Sequence, residues 1–253
     1  MLTLKGVPAS RGVAMGRLFV LPRFKEIPAM YTDADVGFES MRVEAAIQTA
    51  KEQLGSLRDK ACREAGEKAA AIFDIHVMML EDDEFTGSIH GVIENGNLSA
   101  EYAVHAACEW YADALDASGN PYMQERGADV RDLTRRVAQI LAGGGQDEFA
   151  GIKSPVVLAA REILPSQTIL AGSEKALAFL SKKGSVNCHS SVLARMLGIP
   201  AVISLGNDFG KLKNDELCIV DAQSGLVIIS PDKDTIAQYE EKIANQKKTF
   251  AAK

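Results

Sequence analysis

The chain has 253 residues, 47% of them hydrophobic and 25% charged, an ordinary globular composition with length for one large domain or two smaller ones. Its net charge of -6, with no basic stripe, argues against a nucleic-acid surface and suits a basic protein partner. There is no apolar run near the roughly 20 residues that span a bilayer, no signal-peptide core and no CxxC pair among Cys62, Cys108, Cys188 and Cys218, so a soluble cytoplasmic protein with free thiols is expected.

In chain order, the opening stretch alternates glycines with short apolar runs and ends in "GRLFVLP", which predicts a strand over Leu18–Leu21 stopped by Pro22. From Asp33 to about Leu141 glycines thin out and apolar residues recur at helical spacing, as at Val43, Ile47, Ala50, Leu54, Leu57 and Ala61. Breaks at "EAGEKAA", "NGNLSAE" and "DASGNPYMQE" divide this block into four helices, which predicts two antiparallel hairpins. Beyond "AGGGQDEF", the runs "SPVVLAA", "ALAFLS", "AVISLG", "LCIVDA" and "GLVIISP" read as buried strands alternating with short helices. The opening strand lacks a nearby partner and is expected to join that sheet. Residues 1–21 with 144–230 then form an α/β domain, and 22–143 form an inserted all-α subdomain. Residues 231–253 carry only Ile236, Tyr239 and Ile243 on their apolar stripe and read as a solvated linker helix leading to a further domain.

The stretch "GSVNCHSSVLARMLGIPAV", residues 184–202, holds the most informative histidine. Asn187 is the expected N-cap, Gly198 the expected C′ residue, and Pro200 forbids continuation. The helix should run from about Cys188 to Leu197 and bury Val192, Leu193, Met196 and Leu197. His189 then lies in the first turn, where unpaired backbone N–H groups and the positive end of the helix dipole face outward. Such a place suits a phosphorylated ring: the amides and hydroxyls of Ser190 and Ser191 can hold phosphoryl oxygens, and the dipole disfavours imidazolium. Spacing alone favours the blander reading, a histidine that only closes a helix cap. Metal binding lacks a second ligand at the right spacing, and a Cys188 nucleophile with His189 as its base would need side chains that diverge on a helix.

This stretch resembles the phosphohistidine signature of the PEP-utilising enzymes. "GVPASRGVAMG", "AIFDIHVMMLEDDEF", "ERGADVRDL" and "ILPSQT" are similar to blocks in the N-terminal half of enzyme I of bacterial sugar phosphotransferase systems, so the resemblance extends over essentially the whole chain. It implies a swivelling α/β phosphohistidine domain with an inserted four-helix subdomain. His189 would be phosphorylated on Nε2, Thr168 of "PSQT", by itself a loop threonine, would position the ring from a strand end, and Asn187, Ser190 and Ser191 would form the phosphate environment. The chain departs from the pattern at Ser185, where a second glycine or alanine is usual, and at Asn187 and Cys188, which replace the more familiar threonine and serine.

"AIFDIHVMMLEDDEF" ends in Glu81, Asp82, Asp83 and Glu84, and its adjacent Met78 and Met79 cannot both face one core. With Phe85 following the acidic run, this predicts an exposed methionine and aromatic patch rimmed by carboxylates; an ordinary core helix with a solvated end is the alternative. The resemblance implies that HPr, or an HPr-like phosphocarrier with a basic active face, docks here on Glu67, Ala71, Met78, Met79, Asp82, Asp83 and Phe85, with Met123 and Arg126 from the next hairpin. Trp110 would lie half-buried at the edge, His76 would add a contact, and His105 with Cys108 reads as helix packing.

The resemblance places PEP and magnesium in a C-terminal barrel outside these residues. The chain is therefore expected to hold no cofactor or metal of its own, to be monomeric where the full-length relative dimerises, and not to use PEP unaided. It would act as a phosphotransferase, exchanging a phosphoryl group reversibly between His189 and a histidine of HPr in the service of sugar uptake. Three other readings stand beside this one: a paralogue serving an HPr-like domain in regulation or dihydroxyacetone phosphorylation, a swivelling domain of the dikinase or PEP-synthase type, which lacks the helical insertion, and a non-catalytic binding module.

Overall fold

The computed structural model describes residues 1–23, 35–144 and 148–251. They fall into two units: Met1–Arg23 with Glu148–Ile163 and Gln167–Lys253, and Phe24–Asp147 with Leu164–Ser166.

The first unit is built on β1 (Leu2–Lys5), β2 (Val7–Ser10), β3 (Val13–Val20), β4 (Val156–Ala160), β5 (Ala176–Ser181), β6 (Ala201–Ile203), β7 (Leu217–Asp221) and β8 (Leu226–Ile229). They form one eight-stranded sheet in the order β1-β8-β7-β3-β4-β5-β6-β2. The five expected C-terminal strands are β4 to β8. The opening strand is β3, longer than expected because it starts at Val13, and it joins their sheet between β7, antiparallel, and β4, parallel. From β3 to β6 the neighbours are parallel. These strands are buried on both faces, which is why they read as continuous apolar runs. Val157, Ala159, Ala178 and Leu180 enter one core cluster, while Leu158, Ala160, Phe179 and Ile203 enter the other.

β1 and β2 lie at opposite ends of the strand order, yet only Gly6 separates them in sequence. One residue reaches about 3.5 Å, so the sheet has to roll until its two edges meet. At the seam the Gly6 N–H donates to the Gly225 carbonyl at 2.9 Å. A Cβ on Gly6 would lie 2.6 Å from the Ile203 carbonyl oxygen and 2.7 Å from a Val202 methyl, so no side chain fits.

The helical unit comprises α1 (Val36–Ala65), α2 (Glu67–Leu80), α3 (Asp83–Gly96), α4 (Ala100–Ala117) and α5 (Pro121–Leu141). This corrects the expectation of four helices: the second expected helix is two, because Asp82 takes extended geometry and its carboxylate caps the Phe85 N–H at 2.9 Å. A start near Asp33 lies outside the described residues. α1 packs on α2 and α5, and α4 on α3 and α5. Buried Glu39 ties α1 to α4, accepting the Ala100 N–H at 2.8 Å and Arg42 at 2.8 Å. Arg42 also binds Glu101. Cys108 is buried in this packing, and burial pushes its thiol up to about 12.

Two short helices, α6 (Pro165–Lys175) and α7 (His189–Met196), link parallel strands, and α8 (Lys233–Ala251) closes the described chain. No helix among the described residues is long and apolar enough to cross a membrane. α8 is less solvated than its composition suggests. Ile236, Tyr239 and Ile243 are half-buried, and the side-chain oxygen of Gln246 accepts the Val13 N–H at 2.8 Å. The buried Asp221 carboxylate accepts Lys242 Nζ at 2.6 Å and Tyr239 OH at 3.1 Å. Burial alone would raise the Asp221 pKa, but the bonds from Lys242, the Gln223 N–H and Tyr239 together hold it below the ordinary carboxylate value.

Two outcomes follow. Gly6→Ala should cost about 1–3 kcal/mol in urea denaturation by overpacking the seam. Asp221→Asn should cost about 1–2 kcal/mol at pH 7. Because the native carboxylate titrates below its unfolded counterpart, that difference is fully present above about pH 4 and should vanish as pH falls through the lower native value.

Candidate functional site

β5 ends at Ser181 and α7 begins at His189, so the intervening loop must carry the chain from the carboxyl end of a buried parallel strand to the start of a helix. Ser185 organises it. Its hydroxyl oxygen accepts the N–H groups of Asn187 at 3.2 Å and Cys188 at 3.0 Å, and its carbonyl accepts the Ser191 hydroxyl at 2.8 Å. Ser191 has one hydroxyl proton and gives it to Ser185, so the Cys188 thiol donates in its 3.2 Å contact with the Ser191 oxygen. Gly184 is held through its carbonyl by the Ser204 hydroxyl at 2.7 Å, and Val186 through its carbonyl by Arg195 Nη1 at 2.7 Å. The same Arg195 nitrogen reaches the Ala9 carbonyl of β2 at 2.8 Å.

This corrects four expectations. Cys188, not Asn187, is the N-cap residue, and the Asn187 side chain is exposed rather than capping, because Ser185 already binds the loop amides. The Ser190 and Ser191 hydroxyls are buried and donate to the carbonyls of Ile163 and Ser185, so they brace the helix start instead of facing outward. α7 buries Leu193 and Ala194, while Val192 and Leu197 are half-buried and Met196 is 37% exposed. Thr168 lies in the first turn of α6, fully buried, rather than in a loop or at a strand end, since α6 begins at Pro165, a residue preorganised for a first helical turn. The C-terminal expectation for α7 does hold: Gly198 takes φ +67, and the Ile199 N–H returns to the Ala194 carbonyl at 2.9 Å, a Schellman closure.

α6 and α7 follow the carboxyl ends of the adjacent parallel strands β4 and β5, the edge where open α/β sheets bind ligands. Thr168 and His189 are therefore brought to the same edge, and the Ser190 hydroxyl bonded to Ile163 ties the two helix starts together. His189 is half-buried. The first main-chain bond of α7 runs from the Val192 N–H to the Cys188 carbonyl, so the amides of residues 189–191 precede the helical ladder and form its electropositive end. A half-exposed imidazole beside such amides can carry a phosphoryl group. Among the described residues no group of three or more His, Cys, Asp or Glu is placed to hold a metal ion.

In the helical unit, Glu67, Ala71 and Met78 are exposed at spacings that put them on one face of α2, together with Asp74, which sequence reasoning missed. Met78 is 67% exposed and Met79 half-buried. Asp82 and Asp83 are exposed at the start of α3, and Met123 is exposed and Arg126 half-buried on α5. Part of the acidity is already balanced: Arg58 binds Asp74 at 3.0 Å and Glu67 at 3.7 Å, and Lys51 binds Glu81 at 2.6 Å. Phe85 does not belong to this surface. It is buried against Tyr111 at 5.7 Å between ring centroids, because the Asp82 cap turns the chain inward. His76 is fully buried 3.4 Å from Asp129 and cannot touch a partner. Trp110 is 67% exposed, not half-buried, and α1 exposes Phe38 and Met41, for which no pattern in the sequence spoke.

The chain thus combines a rolled α/β sheet unit, with a histidine at a helix start, and a separate helical unit. The model of the PEP-utilising enzyme N-terminal region matches residues 5–126, and that of the PEP-utilising enzyme mobile domain matches residues 152–225. The chain belongs to the PEP-utilising enzyme family. Within it, a solution structure of Enzyme I is similar at 31% identity with a TM-score of 0.73, covering 96% of this chain and 99% of that one. The phosphoenolpyruvate-protein phosphotransferase of Geobacillus stearothermophilus is 36% identical over 242 residues, 96% of this chain and 42% of the relative. That of Lactococcus lactis subsp. lactis is 33% identical over 253 residues, 98% and 44% respectively. The chain thus spans about two-fifths of the length of these relatives. A structure described as the N-terminal domain of Enzyme 1 - Nitrogen shares the fold at a TM-score of 0.60 and 22% identity.

Ser185→Ala should loosen the loop by about 1 kcal/mol. Amide hydrogen exchange at Asn187 and Cys188 should then quicken roughly fivefold, with β5 unaffected; unchanged exchange would show that the hydroxyl does not hold the loop.

Proposed function

We propose that this chain is the phosphoryl-carrying part of a PEP-protein phosphotransferase, with His189 taking a phosphoryl group and passing it to a histidine of HPr or an HPr-like carrier. The observation that carries this reading is the half-exposed His189 in the first turn of α7, at the carboxyl edge of the parallel strands and beside the amides of residues 189–191. In each exchange the N–P bond of the donor histidine breaks as a bond from phosphorus to the His189 ring nitrogen forms. The donor ring, protonated on its other nitrogen, leaves as neutral imidazole, His189 becomes a phosphoimidazolium that keeps its own N–H on the other nitrogen, and no proton moves at the attacking atom. The amides of the helix start meet charge on the equatorial oxygens, and the brace through Ser185, Ser190 and Arg195 keeps the ring on line. Thr168, at the same edge, serves as the hydroxyl that orients the ring.

Residues 231–253 lead to a PEP-binding barrel in this reading, and magnesium with PEP belongs to that barrel. The carrier protein docks on the exposed face of α2 around Met78, with Glu67, Ala71, Asp82 and Asp83, and reaches Met123 and Arg126 on α5. An apolar anchor ringed by carboxylates fits a small basic partner, since charge steers encounter and the buried anchor supplies affinity.

The test is intact mass of the chain after mixing with phosphorylated HPr. One acid-labile phosphoryl group should be gained, and none by His189→Ala; no transfer from any HPr-type donor would remove the carrier reading. Met78→Ala should weaken carrier binding by about 1–2 kcal/mol in calorimetry, with transfer restored at saturating carrier.

A further inference from the structure

A cavity of about 560 Å³ opens in the sheet unit at the end of α7 opposite His189, lined among others by Ser10, Arg11, Arg195, Gly198 and Gln223. Its chemistry runs against the rest of the molecule. The chain carries a net charge of -6, yet two arginines line this one concavity, and no aspartate or glutamate lines it among the described residues. Arg195 is preorganised: Nη1 is fixed by the carbonyls of Ala9 at 2.8 Å and Val186 at 2.7 Å, which sets the plane of the guanidinium and leaves its other N–H groups to serve as a fork. Arg11, exposed one residue beyond β2, and the buried Ser10 line the same cavity and offer it a second guanidinium fork and a hydroxyl by residue type. Guanidinium forks match the two coplanar oxygens of a carboxylate or phosphate better than any other common ligand group.

We propose that this cavity binds a small oxyanion, the phosphate or carboxylate group of a metabolite, between Arg11 and Arg195. Arg195 also holds the Val186 carbonyl of the loop that presents His189, so an anion drawing on this guanidinium acts on the loop brace from the far end of α7. The proposal does not rest on phosphoryl transfer, and its test requires none.

The isotope-labelled chain is titrated with sodium phosphate and, separately, sodium acetate, each against sodium chloride at equal ionic strength, with amide NMR shifts as the readout. Saturable shifts at Ser10, Arg11, Gly198 and Gln223 are expected, with the dissociation constant roughly tenfold weaker in Arg11→Gln and less affected in Arg11→Lys, which keeps the charge. Saturation by phosphate alone assigns a phosphate ester, by acetate alone a carboxylate. Shifts that chloride reproduces, that centre on residues 189–191, or that persist unchanged in a folded Arg11→Gln would overturn the site.

Discussion

Gly6 is the residue on which the geometry of the sheet unit turns. It joins strands that belong to opposite edges of the sheet, and only a residue without a side chain fits where the Gly225 and Ile203 backbones converge. Rolling the sheet sets β2 beside β6, with α7 packed against β2. That contact puts the Ala9 carbonyl within reach of Arg195, and Arg195 in turn holds Val186 in the loop before His189. A backbone constraint at the sixth residue thus reaches the loop before His189 through one guanidinium.

The loop itself illustrates how a departure from a family pattern can be absorbed. Ser185, where a glycine or alanine was expected, supplies a hydroxyl that takes up two loop amides, and the helix cap passes to Cys188, whose own side chain does not bond an amide of α7. The helix start is then braced by buried hydroxyls on Ser190 and Ser191 that donate inward to carbonyls. Satisfying buried carbonyls in this way leaves the amides of residues 189–191 as the electropositive end of the helix.

Charge is also divided by place rather than spread evenly. The exposed face of α2 and the start of α3 carry carboxylates around Met78, partly balanced by Arg58 and Lys51, whereas two arginines and no carboxylate residue line the cavity at the end of α7 among the described residues. At the β7 end, buried Asp221 binds Lys242 and Tyr239, which fastens α8 to the sheet unit although its composition is that of a solvated helix. Long polar side chains bring their own apolar stems and charged heads to such a contact, so hydropathy alone cannot reveal it.

Local sequence pattern was enough for most of the element types. Valine-rich runs on parallel strands are buried on both faces, apolar spacing marked the helices, and Gly198 with Pro200 ended α7 because glycine alone takes the left-handed turn at no cost and proline cannot continue a helix. His189 at a helix start was legible for the same local reasons. Long-range partnership settled the rest: that Asp82 splits a helix and buries Phe85, that Thr168 sits in a buried helical turn, that His76 faces Asp129, that Ser185 rather than Asn187 secures the loop, and that Arg11 and Arg195 line one cavity. Each depends on which backbone or side chain arrives from a distant segment, and spacing along one segment does not encode the position of another.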